Sequence, residues 1–150
     1  MLGFLHIRNM ATVSELEVDF SEGFNTVTGE TGTGKSLILG ALQVLLGGRA
    51  EKSLIRTGER RCEITGVFRL MSDYGDLRKG ICEHMTNAGI PVAGDDDELI
   101  VRRVITQASS RAYVNDTPVT LDILKRVGDL LVDIHGPSEH QSLLYPACQL

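Results

Sequence analysis

Eight residues in the first quarter of the chain, Gly29-Glu30-Thr31-Gly32-Thr33-Gly34-Lys35-Ser36, set glycines, a lysine and a hydroxyl in the spacing G-x-x-x-x-G-K-S. That pattern can cradle phosphates. Glycines have no Cβ, so successive backbone N–H groups can turn inward and approach anionic oxygens. A helix opening at Lys35 adds unpaired N–H groups and the positive end of its dipole. Lys35 then meets β- and γ-phosphates as a point charge, and the Ser36 hydroxyl ligates Mg²⁺. The implied chemistry is the holding of a nucleoside triphosphate. The bland alternative is a glycine-rich turn before a core helix.

The flanks decide between the two. Gly23-Phe24-Asn25-Thr26-Val27-Thr28 is rich in aromatic and β-branched residues, which predicts a short buried strand. Leu37 to Leu46 is long and apolar, which predicts a helix closed by Gly47-Gly48. Strand, glycine loop and helix are the order that phosphate holding requires.

A second set of candidates lies near the other end. Leu130-Leu131-Val132-Asp133 places a carboxylate at the end of an apolar run. Asp133 can be the acid that holds Mg²⁺ through water in a P-loop protein. Alternatively its strand leads into Gly136-Pro137-Ser138-Glu139-His140-Gln141, and that loop contacts the γ-phosphate and metal. Asp133 can also simply cap the next turn. Periodicity leaves these readings open. His135, His140 and Glu139 match no zinc spacing. Asp95-Asp96-Asp97 lacks the spacing of a calcium loop and reads as a solvated turn. Arg102-Arg103 and Arg111 could serve an anion, but neighbours on a strand point to opposite faces, so one of a pair ordinarily meets solvent.

The remaining chain must position these groups. At 150 residues it suits one ordinary domain, 1–150, with a real core. A net charge of −5 gives no compositional support for a nucleic-acid partner. Cys62, Cys82 and Cys148 form neither a disulfide framework nor a metal pattern, as expected of reduced thiols. With no signal-peptide pattern and no apolar run long enough to span a bilayer, a cytoplasmic location and no membrane partner are expected.

Met1 to Ile7 and Val13 to Phe20 read as strands paired in a hairpin through Arg8 to Thr12, the second alternating Leu16, Val18 and Phe20 with Glu15, Glu17 and Asp19. The phosphate loop therefore follows a third strand. Arg49 to Arg61 is a basic loop or short irregular helix. Cys62 to Leu70 predicts a strand, and Asp73 to Asn87 a helix with Asp73 as N-cap. Strands follow over Glu98 to Thr106 and Arg111 to Asn115, then a turn at Asn115-Asp116-Thr117-Pro118. Thr120 caps a helix to Leu130, and Leu131 to His135 predicts a buried strand.

Together these residues resemble the N-terminal part of the RecN family of bacterial DNA repair proteins, relatives of the structural-maintenance-of-chromosomes (SMC) ATPases. Leu5-His6-Ile7-Arg8-Asn9-Met10-Ala11 is similar to the family's opening L-x-I-x-N-F-A. Phe24 to Ser36 resembles its N-x-x-T-G-E-T-G-A-G-K-S loop, in which Glu30-Thr31 is more particular than a generic phosphate loop. Leu45-Leu46-Gly47-Gly48-Arg49-Ala50 and Ile55-Arg56-Thr57-Gly58 continue the likeness. The most particular stretches are Ser110-Arg111-Ala112-Tyr113-Val114-Asn115, Val132-Asp133-Ile134-His135-Gly136 and Glu139-His140-Gln141-Ser142-Leu143-Leu144.

The resemblance implies an α/β fold: the N-terminal half of a P-loop NTPase of ABC/SMC-head type, with an antiparallel β-rich subdomain beside the P-loop helix. It also implies a coiled coil and a C-terminal lobe carrying the Walker-B carboxylates, signature motif and switch histidine, none of which this chain contains. The implied cofactors are ATP and Mg²⁺. Gly29, Glu30, Thr31, Gly32, Thr33, Gly34, Lys35 and Ser36 would bind the nucleotide, with Arg8 and Asn9 flanking it. The implied partners are the C-terminal lobe of the same head, a second head and, through the whole protein, DNA in a nucleoid-associated setting. The family's D-I-H-G-Q-H-E-H-Q carries glutamine where this chain has Pro137, so Gln141 becomes the substitute for a Q-loop glutamine. Two other functions stay open at this level. One is a self-contained phosphotransferase with Asp133 as its acid and Arg56, Arg60 and Arg61 as a lid. The other is a nucleotide-gated interaction module without turnover.

Overall fold

A computed structural model describes residues 1–29, 34–70, 75–90 and 98–132. Alternation of apolar and polar residues builds most of it. β1 (Leu2–Met10) turns through Ala11-Thr12 into β2 (Val13–Asp19). β3 (Arg61–Arg69), β4 (Glu98–Thr106), β5 (Ser110–Val114) and β6 (Thr117–Val119) complete one sheet in the order β2-β1-β3-β4-β5-β6. Every pairing is antiparallel. One register row runs Leu16, Ile7, Ile64, Arg103, Ala112, Val119. It lies on the core face, since Ile7, Ile64 and Arg103 are fully buried.

The helices cover that face. α1 (Lys35–Leu45) seats Leu45 over Gly66 of β3, where a Cβ on the glycine would meet Leu45 Cδ2 at 2.6 Å. Its C-terminus closes as the sequence predicts: Gly48 N–H donates to the Gln43 carbonyl (2.8 Å) and Gly47 N–H to that of Val44 (3.3 Å). Gly47, at φ 100°, takes the left-handed position of this motif, with the Lys125 backbone too close for a side chain. α3 (Leu121–Leu131) begins at Thr120, whose Oγ1 accepts from Ile123 N–H at 3.4 Å. It buries Leu124 and Val127, and Gly128 lets it approach Leu46. α2 (Gly75–Asn87) packs on α3.

Several expectations are corrected. Residues 23–28 form no strand, and Phe24 is 93% exposed. A short apolar run holds a strand's shape only between pairing neighbours, and every described strand belongs to the antiparallel sheet instead. β1 continues through Arg8 and Asn9, so the hairpin turn is shorter than predicted. Thr117 and Pro118 belong to β6 rather than the turn; Asn115 and Asp116 alone turn the chain, with φ of 46° and 60°. Pro118 fits because β6 is an edge, where its missing N–H breaks no ladder. Leu131 ends α3 and Val132 is its extended cap, so the strand predicted from Leu131 does not start there. Asp73, Asp95 to Asp97, and Asp133 onward lie outside the described residues.

Arg102 and Arg103 divide between the faces as alternation requires. Arg102 stacks 4.6 Å from the Tyr113 ring centroid and donates to Asp116 Oδ1 at 2.9 Å. Arg103 is fully buried and donates to Ser110 Oγ at 2.6 Å, but its Nε and Nη1 meet no acceptor among the described residues. Burial pushes its pKa below the usual arginine value.

Candidate phosphate-binding site

The helix after the glycine loop is aimed by its packing. Gly40 lies against Met10 at one end of β1, while Leu45 lies over Gly66, which pairs with Leu5. α1 therefore runs back along β1. Lys35 precedes Gly40 by five residues, so at ~1.5 Å per residue the helix opens about 7 Å before its Met10 contact. The loop and the Asn9–Met10 end of the sheet share one end of the molecule.

Of the predicted loop, Gly29, Gly34, Lys35 and Ser36 are described, and Glu30, Thr31, Gly32 and Thr33 lie outside the described residues. Gly34 is the N-cap, left-handed at φ 109°, and nothing among the described residues stands within 4 Å of where its Cβ would be. Among the described residues no side chain caps the helix and no carboxylate occupies its first turn, which leaves its N–H groups and dipole uncompensated there. Lys35 Nζ donates to the Gly29 carbonyl, which brings the two ends of the loop together. Ser36 sits in the first turn, exposed. This donor set fits a phosphate chain and its cation: backbone N–H groups, an ammonium and a hydroxyl, with no competing anion in the first turn.

Arg8 and Asn9 sit at the same end. Asn9 has φ 53°, and its side-chain amide donates to Glu59 Oε2 at 3.3 Å. Its carbonyl accepts from Arg56 N–H at 2.9 Å, while Ala11 N–H donates to the Leu54 carbonyl at 2.8 Å. These bonds fasten the basic segment to the end of β1. A cleft of about 430 Å³ opens there, lined by Arg8, Asn9, Gly58, Glu59, Arg60, Arg61 and Glu63. Arg8 and Asn9 are legible in the sequence, but Glu59 is not: its signal is the turn at Gly58 (φ 88°) that carries it back toward Asn9. Gln141 and Asp133 lie outside the described residues.

A family model described as an AAA domain matches residues 5–117, and the chain belongs to that family. Its whole length matches the "DNA repair protein RecN" of Vibrio cholerae, 40% identical over 151 residues and 26% of that protein. Over 96% of its length it is 41% identical to the protein of the same name from Bacillus subtilis, covering 24% of it. The chain thus spans about a quarter of these relatives and corresponds to their N-terminal part.

Solved structures agree on the fold. One from work on ATP-driven dimerisation and DNA-stimulated activation of SMC ATPases superposes with TM-score 0.65 at 20% identity, over 87% of this chain and 78% of that one. The recombination mediator RecF with ATP superposes with TM-score 0.57 at 18% identity, over 79% and 27%. The fold is therefore α/β, of the ABC/SMC-head type, with an antiparallel sheet beside the P-loop helix.

Proposed function

We propose that this chain is the ATP-holding lobe of a RecN-type ATPase head that acts in DNA double-strand break repair and recombination. The observation that supports it best is the helix N-terminus at Gly34-Lys35-Ser36, open, uncompensated and aimed past the end of an antiparallel sheet. Gly29 to Gly34 would wrap the phosphates, Lys35 would neutralise the β- and γ-phosphates, and Ser36 would hold Mg²⁺. Bound there, Mg-ATP supplies a charge-neutralised γ-phosphoryl group as the reacting centre. Arg8 and Asn9, fixed by Glu59 and Arg56, would flank the nucleotide from the cleft. Gln141 would take the metal-sensing place of the glutamine that Pro137 replaces.

The phosphate-loop side also points to a partner lobe. Phe24 at 93%, Leu39 at 54% and Val27 at 47% are exposed on the segments that enter and follow the loop. Large apolar side chains left in water mark a contact surface. The C-terminal lobe of the same head would cover them, and a second head would complete the nucleotide site. DNA would be engaged by the whole assembly, in the cytoplasm at the nucleoid. The self-contained phosphotransferase reading is disfavoured, since the described strands form only an antiparallel sheet.

Alone, these residues should bind Mg-ATP and turn it over slowly, because the carboxylate that orients the attacking water would come from the C-terminal lobe. The test is steady-state phosphate release by the chain with and without the C-terminal lobe. Turnover that requires the added lobe supports the reading. Sustained turnover by the chain alone, abolished by Lys35→Ala, refutes it.

A further inference from the structure

On the sheet face turned away from the helices, β1 and β2 bring together three side chains that the phosphate site does not use. His6 stands opposite Glu17 in the register, and Glu15 lies on the same face. His6 Nε2 is 2.9 Å from Glu15 Oε1 and 3.8 Å from Glu17 Oε1, and the three ligand atoms lie within 4.8 Å of one another. An acidic edge strand alone is an ordinary device for keeping a sheet edge soluble. The difference here is a half-buried imidazole, fixed by the ladder, that faces both carboxylates.

We propose that His6, Glu15 and Glu17 form a binding site for a divalent transition ion, with Zn²⁺ as the occupant its chemistry suits best. One imidazole nitrogen and two carboxylate oxygens are a borderline donor set of the kind zinc takes. A tetrahedral zinc bound at ~2.0–2.2 Å sets its ligand atoms about 3.3–3.6 Å apart. The observed 2.9 and 3.8 Å bracket that span, so small rotations of exposed glutamates complete the geometry. The backbone need not move, because two hydrogen-bonded strands fix the relative positions of the side chains. The site lies at the sheet edge, open to water for the remaining coordination position. Arg8 Nε, 3.7 Å from Glu15 Oε1, is the cation the metal must displace.

The test is calorimetric titration of ZnCl₂ into the nucleotide-free chain, repeated with His6→Ala and Glu17→Gln, with Glu22→Gln as a neighbouring control. One micromolar-class site is expected, weakened about tenfold or more in both ligand variants and unchanged in the control. Cobalt substitution should give a spectrum without a thiolate charge-transfer band, which separates this site from the cysteines. Thermal unfolding without metal checks that the variants fold. No binding, binding unchanged in either ligand variant, or a cobalt–thiolate band overturns the proposal.

Discussion

Replacing Gly66 with alanine tests the contact that sets the height and direction of the P-loop helix. A Cβ at Gly66 would stand 2.6 Å from Leu45 Cδ2 and 3.2 Å from Phe68 Cε2. Leu45 and Phe68 are both fully buried, so neither can swing into solvent to relieve the clash. Overpacking of this kind costs about 1–3 kcal/mol, while the stiffer unfolded chain returns ~0.4–1 kcal/mol. The net expectation is a loss of roughly 0–2.6 kcal/mol, centred near 1.3 kcal/mol and read as a lower urea midpoint at constant m. Leu45→Ala alone should cost about 2–5 kcal/mol through its cavity. Because the new methyl at 66 enters that cavity, the double variant should fall short of the sum by about 1 kcal/mol. The assay is a double-mutant cycle in urea, monitored by circular dichroism. A stabilising Gly66→Ala, or strictly additive losses, would refute the helix-on-sheet packing.

Arg103→Met should be neutral or stabilising by ~1–2 kcal/mol in the same assay, because it removes a buried cation with two unmatched donors; a loss above ~3 kcal/mol would show that the guanidinium has an essential acceptor. Thr120→Ala should cost about 1 kcal/mol by deleting the α3 cap, with Thr120→Ser recovering most of it. Burial, then the neighbouring Glu63, pushes the Cys62 thiol up from 9.0 to about 11. The folded state therefore holds this proton more tightly than the unfolded chain. The Cys62 contribution is intact below pH 9.0 and is lost as pH rises toward about 11, a fall that Cys62→Ala should flatten. Native Cys62 should also resist alkylation that reaches Cys82, which is partly exposed.

Local patterns carried a large part of this fold. The alternation in β2 stated which face its residues take, and Gly47-Gly48 stated where α1 stops. The errors fell where tertiary pairing decides. Residues 23–28 have strand-forming side chains but no described strand to pair with, and propensity cannot report a missing neighbour. Pro118 looked like a turn residue because its edge position in β6 depends on the order of the sheet. Arg103 could be assigned to a face only from the register, not from its chemistry. For the site, the glycine–lysine–serine run was legible because its function is local. The Asn9–Glu59 bond was not, since it joins positions fifty residues apart through the turn at Gly58.

The central claim, that Gly34-Lys35-Ser36 at the start of α1 holds the triphosphate, is most directly tested by equilibrium binding of a fluorescent ATP analogue with Mg²⁺. Lys35→Ala should weaken binding of the triphosphate by at least about tenfold while leaving the unfolding midpoint within ~0.5 kcal/mol of the parent, because Lys35 is a partly exposed residue of the first helical turn. Undiminished affinity in a folded Lys35→Ala chain would contradict the account.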